Sequence, residues 1–515
     1  AAALAMIAYT ADTTDAAKEA AHLRFSAEIL PRAEEQSVAL AKKLVERDYV
    51  RPGLETMLRR FRTQIELFRE ENVPLFTGLE ALSSQYQRIT GGMTAEWDGK
   101  RVPVPRLNPH LKSPDRAVRE RAFRAIAAPY VAERETLADV FDRMYALRQQ
   151  VAANAGFASF RDYVFPAKFR FDYTPADCER FHDAVEATVV PALERLNAHR
   201  RDALGLARLR PWDLTVSVHR REPLRPFTTA AELSARAARI FERIDPTFGR
   251  EFWLLMAENL LDLESRPGKA PGGYCETLHR RGRPFIFMNA VGVDDDVMTL
   301  LHEAGHAFHA FAAHSQPLIW QRHPGSEACE LASMSMELLS APLLGTPGSF
   351  YSEADAVVAQ LEHLEDILVT LAHVASVDAF QHWIYTSGEG HDRDARDAAW
   401  LRLRERFDRG ADWTGLEAER VARWYRQLHI FLYPFYYIEY GIAQLGALQV
   451  WRNSLRDHVS AVARYREALA LGATRPLPDI FAAAGARLVF DETGMRDLVS
   501  LVEDRIAMLR ARRAA

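Results

Sequence analysis

His302 and His306 stand four residues apart, and Glu303 directly follows the first, an H-E-x-x-H arrangement. On a helix, residues i and i+4 share a face one turn apart, so both imidazoles point the same way. Two neutral ring nitrogens so placed reach one Zn²⁺ at about 2.0–2.1 Å. Glu303 then lies beside the metal, where a general base for hydrolysis belongs. Two surface histidines on an amphipathic helix would have the same spacing, so the surroundings decide. The flanks Val297-Met298-Thr299-Leu300-Leu301 and Ala307-Phe308-His309-Ala310-Phe311 are apolar enough to bury the helix. Asp294-Asp295-Asp296 opens it with the charge a helix N-terminus favours. Buried histidines need partners, and one metal serves two.

A catalytic zinc takes three protein ligands and keeps one open position. Downstream, Pro317, Pro324 and Gly325 mark a loop, and Ser326 to Ser340 reads as a second helix stopped by Pro342. This helix carries Glu327, Glu330 and Glu337. Glu330 is the expected third ligand, because Cys329, Leu331 and Ala332 bury it. Glu337, on the same face, is an expected acceptor for a ligand histidine's other N–H. His309 is expected to support the site, not to ligate.

Further segments join this pair of helices. Pro271-Gly272-Gly273 permits a tight turn or close backbone approach to a ligand. Phe285-Ile286-Phe287-Met288-Asn289 reads as a short strand whose exposed edge would pair with an extended peptide through Phe287, Met288 and Asn289. A core strand is the plainer reading of the same residues. His429 to Gly441 is rich in tyrosine, and tyrosine hydroxyls are suitable donors to an oxyanion.

His302-Glu303-Ala304-Gly305-His306-Ala307-Phe308-His309, followed by Glu330-Leu331-Ala332-Ser333, resembles the thimet oligopeptidase and oligoendopeptidase F family of zinc peptidases. Gly272-Gly273-Tyr274-Cys275 and Pro284 to Asn289 resemble that family's glycine loop and active-site strand. Ala304 is closer to the oligoendopeptidase branch. The resemblance implies a mainly α, two-lobed helical ellipsoid with a deep central channel and a small β-sheet beside the zinc site. It also implies one Zn²⁺ per chain and hydrolysis of internal bonds in short unstructured oligopeptides. The family uses two tyrosines seven residues apart with a histidine upstream, which Tyr440, Tyr433 and His429 reproduce. Tyr440 ranks first and Tyr433 second as oxyanion donor, while Tyr436 and Tyr437 stay open as alternatives that line the substrate.

The body that must position these residues reads as helical. Residues 12–90 form long amphipathic patterns, and Asp98-Gly99 marks a hairpin turn. Ser113-Pro114 and Thr174-Pro175 are expected helix starts, and Thr229 to Glu232 a capping box. Residues 1–200 are expected to form an N-terminal helical part of the channel wall, and 201–515 the catalytic part, with the lobes interleaved.

Among 515 residues, 48% are hydrophobic and 26% charged, proportions of an ordinary globular chain. The net charge of −5 favours neither nucleic acid nor an anionic membrane. Three widely spaced cysteines argue against a disulfide framework and suit the cytoplasm. Ala1 to Ala11 lacks the basic start of a signal peptide. Ile430 to Trp451 is apolar, but Pro434, Glu439 and Gln444 make it a buried segment and not a membrane span. No oligomer is indicated. Two rival readings remain at this level: a helical zinc carboxypeptidase, and a peptide-binding helical protein without catalysis.

Overall fold

Local capping chemistry starts the helices, with two shifts from expectation. Thr174 opens helix Pro175–Ala203 with a complete capping box: its hydroxyl accepts from the Asp177 amide, and Asp177 accepts from the Thr174 amide. Ser113 is not the next cap. Asp115 caps Arg116–Ala132 by accepting from Ala117 N, and Ser113 Oγ accepts from Asp115 N instead. A carboxylate also meets the helix dipole, which a hydroxyl does not. Thr229 accepts from Glu232 N as expected, but the Glu232 carboxylate reaches one residue further back, to Thr228 N. The computed structural model in which these contacts lie describes residues 1–514 apart from 48, 50 and 221.

The molecule is mainly α with two small sheets. β1 (Thr94–Trp97) and β2 (Lys100–Pro103) form the hairpin, and Asp98 and Gly99 turn it with φ of 50° and 72°. β3 (Leu261–Glu264), β4 (Tyr274–Leu278) and β5 (Arg283–Ala290) form the second sheet in the order β3-β5-β4. β5 is the strand read from Phe285 to Asn289, but its edge is not exposed. It runs parallel to β3 on one side and antiparallel to β4 on the other. Phe287 and Met288 are buried, at 0% and 2% exposure. The edges of this sheet belong to β3 and β4.

One buried apolar cluster runs from Leu82 to Leu509. Residue 200 lies within helix Pro175–Ala203, and the apolar cluster has members on both sides of it. At its centre is the long helix Glu353–Thr386, packed against Pro175–Ala203 and Tyr437–Arg456. It is the one described helix long and apolar enough to cross a bilayer, and most of that apolar stretch is buried within the protein. Ile430 to Trp451 divides into Leu428–Leu432 and Tyr437–Arg456.

Candidate metal centre

The H-E-x-x-H residues lie on helix Asp294–Ala313. Its start is set by Asp296, whose Oδ2 accepts from the amides of Val291, Gly292 and Val293 at 2.8, 2.8 and 2.9 Å. Its core face is anchored by Phe308, whose ring packs 4.6 Å from Phe248 and 5.0 Å from Phe241. Burying one such ring contributes about 1.5–3 kcal/mol. The adjoining side crosses helix Ser326–Ser340 at Gly305. A Cβ on Gly305 would stand 2.6 Å from Ser333 Cα and 2.7 Å from Ala332 O. Glycine therefore sets how closely the two backbones approach, and that approach brings Glu330 to the histidines.

Donor atoms of His302, His306 and Glu330 lie within 4.8 Å of one another. Glu330 Oε2 is 3.3 Å from His302 Nε2 and 3.7 Å from His306 Nε2. The two imidazoles meet edge to face, 4.9 Å between centroids. Two imidazoles and one carboxylate converging on one point are the donor set of a catalytic metal site. The other oxygens and nitrogens are committed elsewhere, which fixes the donors. Glu330 Oε1 accepts from Tyr436 OH at 3.0 Å, and Ser333 Oγ donates to Oε2 at 3.0 Å. Glu337 accepts from His302 Nδ1 at 2.6 Å with one oxygen and from His363 Nε2 at 3.0 Å with the other. His302 Nδ1 is thereby the protonated nitrogen, and Nε2 faces Glu330.

The two imidazoles differ: burial would lower His302, but its hydrogen bonds to Glu330 and Glu337 outweigh it and hold that ring well above the usual imidazole range. Burial pushes the His306 imidazole down to about 4, so it stays neutral, as a ligand must be. Burial would raise Glu330, but the His302 hydrogen bond and the neighbouring imidazole charges outweigh it and hold the carboxyl at about 2. Burial pushes Glu303 up to about 7, against the opposing pull of His302. Of the three glutamates of helix Ser326–Ser340, Glu327 is turned away and accepts from Tyr173 OH at 2.6 Å. His309 is buried outside the three-donor group.

The glycine loop touches the expected base. A Cβ at Gly273 would stand 3.7 Å from Glu303 Oε1 and 3.4 Å from Phe287 O, so glycine keeps this flank of the carboxylate open. Gly272 takes φ of 96°, a conformation that favours glycine. Asn289 Nδ2 donates to the carbonyls of Ala270 and Gly272, both at 2.9 Å. Asn289 thus pins the loop.

The tyrosines of the segment take different positions around Glu330 and His429. Tyr436 reaches the Glu330 carboxylate directly, and the Tyr440 ring packs edge-on against the Tyr436 ring at 5.0 Å. Tyr437 packs against His373 and His429 at 5.5 and 4.9 Å. Tyr433 is 54% exposed and meets only the rim of His429, 6.0 Å between centroids. His429 is enclosed by the rings of Tyr433, Tyr436, Tyr437 and Tyr440. Burial, then the charge of Glu330, push Tyr436 and Tyr440 upward, so both remain protonated donors. The backbone carrying them is clamped from beneath. Arg148 donates to the carbonyls of Ile430 and Phe431, Arg170 donates to Phe435 O, and Gln381 accepts from Phe435 N at 2.6 Å.

A cavity of about 1250 Å³ reaches the site from the Glu337 side; its wall includes Met298, Thr299, Glu337 and His363, but not the three donors. It extends between Phe123 and Tyr130 of the N-terminal half and Arg426. Sequence reasoning missed His363, Ser333, Arg148 and Gln381. His363 is one of three histidines in helix Glu353–Thr386, and no local spacing singles it out.

Comparison with known proteins extends these observations. The model of peptidase family M3 matches residues 110–499. Oligoendopeptidase F (chromosomal) of Lactococcus lactis subsp. cremoris is 21% identical over 387 residues, 73% of this chain and 61% of that protein. Oligopeptidase PepF of Bacillus subtilis (strain 168) is 23% identical over 399 residues, 74% of this chain and 56% of that protein. The chain thus spans less than two thirds of the length of these curated relatives. A solved structure of PZ peptidase A with an inhibitor superposes with a TM-score of 0.89 at 26% identity, covering 98% of this chain and 89% of that one. With three quarters of its length matched by the family model and its fold shared across almost all of it, the chain belongs to peptidase family M3.

Proposed function

We propose that this protein hydrolyses internal peptide bonds in short, unstructured oligopeptides, with one Zn²⁺ held by His302, His306 and Glu330. The observation that carries this reading is the convergence of those three donors within 4.8 Å, with Glu303 next to the first of them in sequence. Bound there, zinc would supply Lewis acidity toward a water and a carbonyl oxygen. Glu303 takes the proton from the attacking water and returns it to the leaving nitrogen. Its burial suits both halves of that transfer, since a carboxyl near 7 accepts and releases protons at neutral pH. Glu337 holds His302 in the ligating tautomer. Tyr440 donates to the oxyanion, while Tyr436, engaged with Glu330, orients that carboxylate. The substrate backbone lies along the edge of β4, beside Gly273, and not along β5. Recognition through main-chain hydrogen bonds leaves cleavage broad in sequence. The names of the relatives, oligoendopeptidase F and oligopeptidase, agree with this substrate class. Three cysteines without a disulfide suit a cytoplasmic location.

Glu303→Gln tests the assignment. It keeps the size of the side chain and leaves the three donors in place, so zinc content stays at the wild-type level. The base is lost, and kcat falls by about 10²–10⁴. Wild-type turnover in the zinc-loaded variant would remove Glu303 from the mechanism.

A further inference from the structure

Helices Pro175–Ala203 and Glu353–Thr386 each present two metal-binding side chains at i, i+4 spacing where they pack together: Cys178 and His182 on the first, Asp378 and His382 on the second. We propose that these four residues form a second, structural metal site of zinc type, independent of the His302 centre. Cys178 Sγ, an Asp378 oxygen and a His382 nitrogen lie within 4.8 Å of one another. His182 Nε2 is 2.9 Å from Asp378 Oδ2, and His382 Nε2 is 3.3 Å from the same oxygen. The two imidazoles stand nearly perpendicular, at 83° with centroids 5.6 Å apart. Four donors on a tetrahedral ion with bonds of about 2.0–2.3 Å are separated by roughly 3.3–3.5 Å, so Cys178, Asp378 and His382 need rotamer shifts of about 1 Å, and His182, which lies outside that group of three, must move further to complete the site.

A purely hydrogen-bonded cluster accounts for less. All four side chains are buried, with Cys178 and Asp378 at 0% exposure. In such a cluster Asp378 Oδ1 and His382 Nδ1 have no hydrogen-bond partner, and His382 Nε2 has only the 3.3 Å approach to Asp378 Oδ2. Buried polar atoms left this way are destabilising, and two on adjoining side chains are unusual. A divalent ion employs an Asp378 oxygen and one His382 nitrogen at once. With a thiolate, a carboxylate and two neutral imidazoles, the site has no net charge, which suits a dry interior. The nearest cations are engaged elsewhere: Arg170 with Glu439 and Phe435 O, Arg406 with Asp183 and Glu186.

The location gives such an ion a structural task. The His382 ring packs 5.3 Å from Phe435, the residue before Tyr436, and 6.2 Å from Phe165. An ion here would tie the N-terminal half to the long helix directly beneath the tyrosine segment.

Two measurements decide the matter. The variant H302A/H306A lacks two ligands of the other site. Metal analysis of that protein, purified from zinc-supplemented cells, should return about one ion per chain; no retained metal overturns the proposal. The chain has three cysteines, so C275S/C329S leaves Cys178 as the sole thiol. Produced in cobalt-supplemented medium, that variant should show the intense near-ultraviolet charge-transfer absorption of a thiolate–Co²⁺ bond. Folded, cobalt-loaded C275S/C329S protein without this band overturns the proposal as well.

Discussion

Gly305→Ala adds one carbon at the point where the two ligand-bearing helices cross. The new Cβ would stand 2.6 Å from Ser333 Cα and 2.7 Å from Ala332 O, where ordinary contact begins at 3.4 Å. Both obstacles are backbone atoms of a buried helix, so no side chain can rotate away. Relief requires the helices to part by about 1 Å, against a coordination tolerance of about 0.2 Å. Overpacking of this kind costs about 1–3 kcal/mol, while replacing glycine by alanine within a helix returns about 1 kcal/mol at most. The clash prevails. Zinc binding must pull the helices back together against it, so much of the strain appears as lost affinity. One to two kcal/mol corresponds to roughly a 5- to 30-fold rise in the zinc Kd. Competition against a chromophoric chelator measures this directly. Gly441→Ala is the control: its Cβ meets side-chain atoms, Phe181 Cζ at 2.7 Å and Val374 Cγ1 at 3.0 Å, away from the donors. It should leave the zinc Kd unchanged even if stability falls. Wild-type zinc affinity in G305A would refute the idea that this crossing positions Glu330.

Glu337→Gln deprives His302 Nδ1 and His363 of their charged acceptor, and zinc affinity should fall by about 10–100-fold with the three donors intact; titration with a competing chelator reads it. Tyr436→Phe and Tyr440→Phe should separate two roles. The first loses one hydrogen bond to Glu330, about 1 kcal/mol, and weakens zinc binding roughly fivefold; the second leaves the zinc Kd alone and lowers kcat by about 10²–10³. The pH dependence follows from Glu303, which burial pushes up to about 7 and which must be ionised to accept a proton. kcat/KM should therefore fall as pH drops through about 7 or somewhat below, since a bound cation favours the ionised carboxylate. A profile flat down to about pH 4 would exclude this base.

Both ligand helices were legible in the sequence because each carries its own punctuation. The second runs from Ser326 to Ser340, bounded by Pro324-Gly325 and Pro342, as those residues imply. The i, i+4 histidines needed nothing beyond helical geometry. The sheet was less legible. Leu261–Glu264 is only four residues long, and its parallel pairing with β5 depends on tertiary packing that no local pattern records. Hence β5 reads as an edge when it is the centre. The path of the tyrosine segment was hard to read for a different reason. A seven-residue spacing places Tyr433 and Tyr440 on one face only along an unbroken helix. Phe435 breaks it with φ of 60°, held by Arg170 and Gln381, and the helix restarts at Tyr437. That turn carries Tyr436 toward Glu330 and leaves Tyr433 at the surface.

The central claim is metal-dependent cleavage within a peptide, and an internally quenched peptide of about ten residues with both ends blocked tests it most directly. Fragments are identified by mass spectrometry before chelation, after chelation, and after zinc is restored. The account predicts internal cuts that vanish with the chelator and return with zinc. Zinc-loaded protein that leaves the blocked peptide intact, or cuts that persist without metal, would contradict it.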